Sequence, residues 1–212
     1  MITIKNSLIT AGTASLLSLG SLALTSPSYA FNLNLSSWSK IGDVNPISST
    51  QATLNSGTFD TAPTGGGAGS LEDFLSITPG SLDPATSTFG ATQGSAIKQT
   101  FTDIKVGDVL HFDYSFLTND ADSAFVTIND SVIALTASTP FTYSFTSAGS
   151  YNVGIGIVDV DDAIGASQLI VSNAKLDAVP EPMTILGSLT ALSFGVGMRR
   201  RFGRKKSASS GV

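Results

Sequence analysis

The alternation of apolar and polar residues along the middle of the chain reads as β-structure. Leu110, Phe112, Tyr114 and Phe116 alternate with His111, Asp113 and Ser115. That period of two turns one strand face to a core and the other to water. Phe141, Tyr143 and Phe145 alternate in the same way with Thr142 and Ser144, and Tyr151, Val153, Ile155 and Ile157 with Asn152, Gly154 and Gly156. Phe31–Leu35, Ala96–Phe101, Ala124–Ile128, Val132–Thr136 and Gln168–Val171 are further predicted strands. Turn formers separate them at Val106-Gly107-Asp108, Thr118-Asn119-Asp120, Asn129-Asp130, Ser138-Thr139-Pro140 and Ala148-Gly149. Between the termini no window carries a convincing helical period. Gln51–Gly90 is less regular, with a flexible, solvated glycine-rich loop predicted over Thr61–Ser70 and a short turn of helix over Leu71–Leu75. The pattern predicts an all-β domain over residues 31–178, an antiparallel β-sandwich of jelly-roll type, with a closed barrel as the alternative.

The two ends carry a different pattern. Lys5 precedes the uncharged run Leu8–Leu24, and Ser28-Tyr29-Ala30 puts small residues where signal peptidase inspects the chain. Residues 1–30 are therefore expected to be a signal peptide cleaved after Ala30, an uncleaved anchor helix being the alternative. At the other end, Val179-Pro180-Glu181-Pro182 interrupts regular structure, because proline has no backbone N–H to donate. The 16 uncharged residues Met183–Met198 follow. As a helix they would span about 24 Å, short of a hydrocarbon core of about 30 Å. Snorkelling of Arg199, Arg200 and Arg201 and the apolar Phe202 would extend that reach. A single transmembrane helix is expected, with the basic cluster in the cytoplasm and the acidic segment outside. Residues 207–212 would be a disordered tail.

Pro-Glu-Pro, a short apolar helix and an arginine cluster, in that order behind a signal peptide, resemble the PEP-CTERM sorting signal over residues 179–206. That signal is the substrate of exosortase, a membrane-embedded processing enzyme of Gram-negative bacteria and cyanobacteria. The resemblance implies export, transient membrane insertion, recognition at Pro180, Glu181 and Pro182, and removal of the hydrophobic tail. It also implies frequent association with extracellular polysaccharide or biofilm matrix. A plain single-pass anchor on a proline-rich stalk is the alternative. The segments HFDYSFLTNDADSAFVTIND and FTSAGSYNVGIGIVDVDDAIGASQLIVSNAKL resemble the β-sandwich ectodomain of many cyanobacterial PEP-CTERM proteins. Ser172-Asn173-Ala174 stands where those relatives tend to have Asp-Asn-Val, which removes a carboxylate from that edge. Related sandwiches include carbohydrate-binding modules and calcium-binding jelly rolls, so the fold permits glycan binding.

Composition narrows the chemistry. The 212 residues contain no cysteine, which excludes disulfides, thiolate zinc sites and a cysteine nucleophile. His111 is the only histidine. Residues 31–178 hold four lysines, no arginine and fifteen carboxylates, a net charge of −11 that would repel nucleic acid.

Two acidic clusters are candidate calcium loops, Asp120 and Asp122 in one and Asp159, Asp161 and Asp162 in the other. Calcium takes about six to eight hard oxygens, which alternating Asp residues on a turn can converge. Neither cluster has EF-hand spacing, and Asp and Asn are also ordinary turn formers. Otherwise no cofactor is expected.

No catalytic residue is assigned and the chain is not expected to be an enzyme. Residues 31–178 hold one glutamate, Glu72, and no G-x-S-x-G elbow, although His111 and Asp113 share a strand face. Trp38, Tyr114, Tyr143 and Tyr151 are the candidates for stacking on sugar rings. The expectation is an exported, exosortase-processed cell-surface or matrix protein with a non-catalytic sandwich. Its partners would be signal peptidase, exosortase, the membrane through its C-terminal helix, and extracellular polysaccharide. A calcium-dependent adhesin is the alternative, and a polysaccharide-active hydrolase a further one.

Overall fold

In the computed structural model, residues 29–179 are described, except 86, 119, 137–139, 162–164 and 166. Their strands are β1 (Tyr29–Asn32), β2 (Ser39–Ile41), β3 (Val44–Ile47), β4 (Gln51–Asn55), β5 (Ala62–Pro63), β6 (Ala91–Ile104), β7 (Val109–Leu117), β8 (Ser123–Ile128), β9 (Ser131–Ala134), β10 (Phe141–Ser144), β11 (Gly149–Val160) and β12 (Gln168–Ala178). A 3-10 turn at Leu35–Ser37 and one short helix, α1 (Leu71–Leu75), complete the set.

The strands form two antiparallel sheets. The first runs β10-β7-β12-β4-β3, with β1 also pairing to β12, and the second runs β2-β6-β11-β8-β9, with β5 also pairing to β6. From β6 onward the chain passes back and forth between the sheets, so sequence neighbours seldom pair. The result is a sandwich of two separate sheets and not a closed barrel.

The predicted alternation builds the core between them. Leu54, Leu110, Phe112, Leu169 and Val171 of the first sheet meet Ile97, Val126, Val153, Ile155 and Ile157 of the second, all fully buried. Each such side chain contributes about 1.5–3 kcal/mol on burial. Phe112 and Phe141 stack with ring centroids 4.8 Å apart, and Phe145 lies 4.7 Å from Tyr151.

The segment between β4 and β6 covers one sheet. The glycine-rich stretch keeps Pro63, Gly65, Gly67, Ala68 and Gly69 exposed, while the residues around it lie on the outer face of the second sheet. Leu71 and Leu75 of α1, with Ala62, Ile77 and Leu82, pack on Ala96, Phe125, Val158 and Val160 as a second apolar cluster. The helix is the predicted one. Ser70 caps it, its Oγ accepting from the Asp73 amide at 3.3 Å, while Asp73 Oδ2 accepts from the Gly69 amide at 3.2 Å. Thr64 Oγ1 bonds the Ala91 carbonyl and the Gly65 amide donates to Glu72 Oε2, while a Cβ at Gly65, Gly67 or Gly69 would meet open space.

Crowding explains Gly154 and Gly156, which sit on the face of β11 that alternation left polar, Gly154 beneath α1 and Gly156 against the neighbouring strands. A Cβ on Gly154 would lie 2.4 Å from Leu75 Cδ2, and one on Gly156 2.4 Å from Phe125 Cζ. The strand is buried on both faces from Val153 to Val160.

β12 runs to Ala178, seven residues past its predicted end. Its inward phase shifts from Leu169 and Val171 to Ala174 and Leu176 across a bulge between Ser172 and Lys175. Two residues of β12 face one of β7 there, which bends the strand and re-aims its side chains.

β1 pairs Tyr29 with Ala178 and Ala30 with Asp177, so the expected cleavage point lies within a paired strand, with Phe31 and Asn32 on its mature side. Among the described residues no helix is long and apolar enough to cross a membrane. The apolar stretch Met183–Met198 lies outside them.

Candidate functional site

The two acidic loops meet at one end of the sandwich. Asp122, in the β7–β8 loop, is 8% exposed and accepts from Ser56 Oγ at 2.6 Å and from the Val160 amide at 3.4 Å. Ser56 Oγ in turn accepts from the Ser167 amide at 3.0 Å. Asp159 is wholly buried, with Gln93 Nε2 3.4 Å from its Oδ2. Asp161, at φ +69°, accepts from the amides of Thr88 and Phe89 at 2.7 and 2.6 Å through one oxygen. Asp120 stays at the surface and bonds the adjacent Ala121 amide.

The arrangement is a set of loop anchors. Asp122 ties the ends of two strands together, and Asp161 holds the 88–89 segment through charge-assisted bonds. Among the described residues no three acidic or histidine side chains gather as a metal group. Asp162 lies outside them, as do Pro180, Glu181, Pro182, Arg199, Arg200 and Arg201.

Of the aromatic candidates Trp38 is buried and the three tyrosines are half-buried. Trp38 is 5% exposed and meets Phe101 edge-on at 6.1 Å, while Tyr114, Tyr143 and Tyr151 pack against the main core. Glu72 is wholly buried beneath the Gly65 amide. It therefore presents no carboxylate to a surface cleft.

A cleft of about 260 Å³ opens instead on the outward face of the first sheet. Cross-strand pairing aligns Asn32, Lys175, His111 and Thr142 from β1, β12, β7 and β10 in one row. His111 Nε2 lies 3.8 Å from Asp113 Oδ1, and its Nδ1 lies 3.2 Å from Thr142 Oγ1. Asn173, at φ +53°, donates from Nδ2 to Asp113 Oδ2 at 2.8 Å. Lys175 Nζ is 4.0 Å from Asp177 Oδ2. Thr50, Leu33 and Ala174 complete the wall.

The bulge makes this cleft. By adding a residue to β12 it brings Asn173 up beside Asp113, in the left-handed conformation that Asn tolerates better than most residues. The sequence pairing of His111 with Asp113 is found here. Asn32, Thr50 and Lys175 had no local motif, because pairing between distant strands brings them together. The one available signal was the break in apolar phase between Val171 and Ala174.

No protein-family model matches the chain, and the search of curated proteins also gives no match.

Proposed function

We propose that this is an exported, exosortase-processed surface or matrix protein whose non-catalytic sandwich associates with extracellular polysaccharide. The order of β4-β12-β7-β10 against β6-β11-β8-β9 supports reading the sandwich as a jelly roll, a fold that hosts many binding functions. Export would begin with the signal peptide, cleaved after Ala30.

The observation that carries the sorting part is where the sandwich stops. β12 ends at Ala178, and the Val179 amide donates to Asp108 Oδ1 at 2.8 Å. The Pro180-Glu181-Pro182 motif begins at the next residue, so the sandwich need not unfold to present it. The apolar stretch would then hold the chain in the membrane as a single span until cleavage, with Arg199, Arg200 and Arg201 on the cytoplasmic side.

The second reading, a calcium-dependent adhesin, draws on the meeting of the Asp122 and Asp159–Asp161 loops at one end of the fold. Co-sedimentation of the exported protein with the producing cell's own polysaccharide, in calcium and in chelator, separates the two. Retention in both conditions is expected of the matrix protein. Retention in calcium alone would favour the calcium-dependent reading, and no retention in either would contradict the matrix role.

A further inference from the structure

We infer that the cleft between β1, β12 and β7 is a binding site for one uncharged hexose unit of a glycan chain. The inference rests on the polysaccharide reading and adds to it a location and a ligand class.

Three features of the cleft select the ligand. First, it offers no unmatched positive charge. Asp113 accepts from Asn173 and lies 3.8 Å from the His111 ring, and Lys175 lies 4.0 Å from Asp177, so the cleft presents a carboxylate and an ion pair and no unmatched cation for an anionic ligand. The surrounding segment carries a net −11, which disfavours a polyanion such as a polyuronate. An uncharged ligand follows.

Second, donors and acceptors are interleaved at close range. The Asp113 carboxylate accepts, the Lys175 ammonium donates, and the Asn32 carboxamide and Thr50 hydroxyl do both. Vicinal hydroxyls, each able to donate and accept, are the chemical match for such a set, and the half-buried Leu33 offers apolar surface to sugar C–H groups.

Third, the size and position suit one ring of a longer chain. The volume of about 260 Å³ falls below the range of pockets that enclose a drug-sized ligand, about 300–1,000 Å³. The cleft lies on an outer sheet face with His111 and Asp113 partly exposed, so neighbouring sugars can pass out of it. The left-handed Asn173 is held there by the bulge and by its bond to Asp113, a local strain of the sort that accumulates at binding sites.

The test is titration calorimetry of the intact protein with neutral hexaoses of glucose, mannose and galactose, and with hexagalacturonate. At least one neutral hexaose is expected to bind more tightly than hexagalacturonate. Asp113→Asn keeps the shape of the side chain and removes its charge, and should weaken that binding about tenfold. Asn173→Gly keeps the left-handed backbone and removes the carboxamide, and should weaken it as well. Asp103→Asn, on the other sheet, should leave it unchanged.

No binding of any neutral hexaose, tighter binding of hexagalacturonate, or full affinity in both cleft variants would each overturn the site. The same variants in the co-sedimentation assay keep the two readings apart. If wild type and Asp113→Asn sediment equally with the cell's polysaccharide, the matrix role stands and this site falls. If neither sediments while Asp113→Asn loses hexaose binding, the site stands and the matrix role falls.

Discussion

Asp108 Oδ1 accepts a hydrogen bond from the Val179 amide at 2.8 Å, across 71 residues of sequence and one position before Pro180. The same carboxylate bonds the Lys105 amide at 2.8 Å through Oδ2, and the residue is 2% exposed. One buried side chain thus closes the β6–β7 turn and fixes the point where the chain leaves the last strand.

Asp108→Ala should therefore destabilise the sandwich by about 1–3 kcal/mol, because it leaves two amides without their acceptor. Urea unfolding measures the loss. Limited proteolysis should also cut more readily around Val179 in the variant, since that residue is no longer held.

Gly156 tests how closely the neighbouring strands pack around β11. Its Cβ would meet Phe125 Cζ at 2.4 Å and the Ser95 carbonyl oxygen at 2.9 Å, and the latter is backbone that cannot swing aside. Gly156→Ala should lower stability by about 1–3 kcal/mol as an overpacking change. A neutral result in a urea titration would mean that Phe125 and the β6 backbone do not crowd β11 as described.

Asp122 distinguishes an anchor from an ion ligand. Both its oxygens are engaged, one by Ser56 Oγ and one by the Val160 amide. Asp122→Ala should cost about 1–3 kcal/mol, equally in calcium and in chelator. A loss confined to calcium-containing buffer would assign an ion to this end of the sandwich.

The strands were legible where one face is buried and the other wet. Leu110–Phe116 and Phe141–Phe145 follow a strict period of two because water lies on one side, and both strands lie where that period put them. β11 was found by the same period although both its faces are buried from Val153 to Val160, so the meaning of its glycines was missed. Gly154 looks like the solvent side of a strand until α1, from far along the chain, is laid over it, and Gly156 until the Phe125 ring of β8 fills the space beside it. α1 itself was legible because its cap is local, with Ser70 and Asp73 three residues apart.

The candidate cleft was legible only in part. His111 and Asp113 share a strand and could be paired by counting. Asn32, Thr50 and Lys175 join them through strand pairing over long separations, which no local pattern encodes. The β12 bulge hid the rest, since a shift of phase after Val171 reads as the end of a strand when only the period is followed.

The export and sorting account is tested most directly by the intact mass of the protein recovered from outside the producing cell. The predicted species begins at Phe31 and lacks the apolar stretch and the basic cluster from Arg199 onward. Substitution of Pro180, Glu181 and Pro182 by alanine should restore that tail to the recovered mass. Wild-type protein that still carries Arg199, Arg200 and Arg201, or the same mature mass in the substituted protein, would contradict the account.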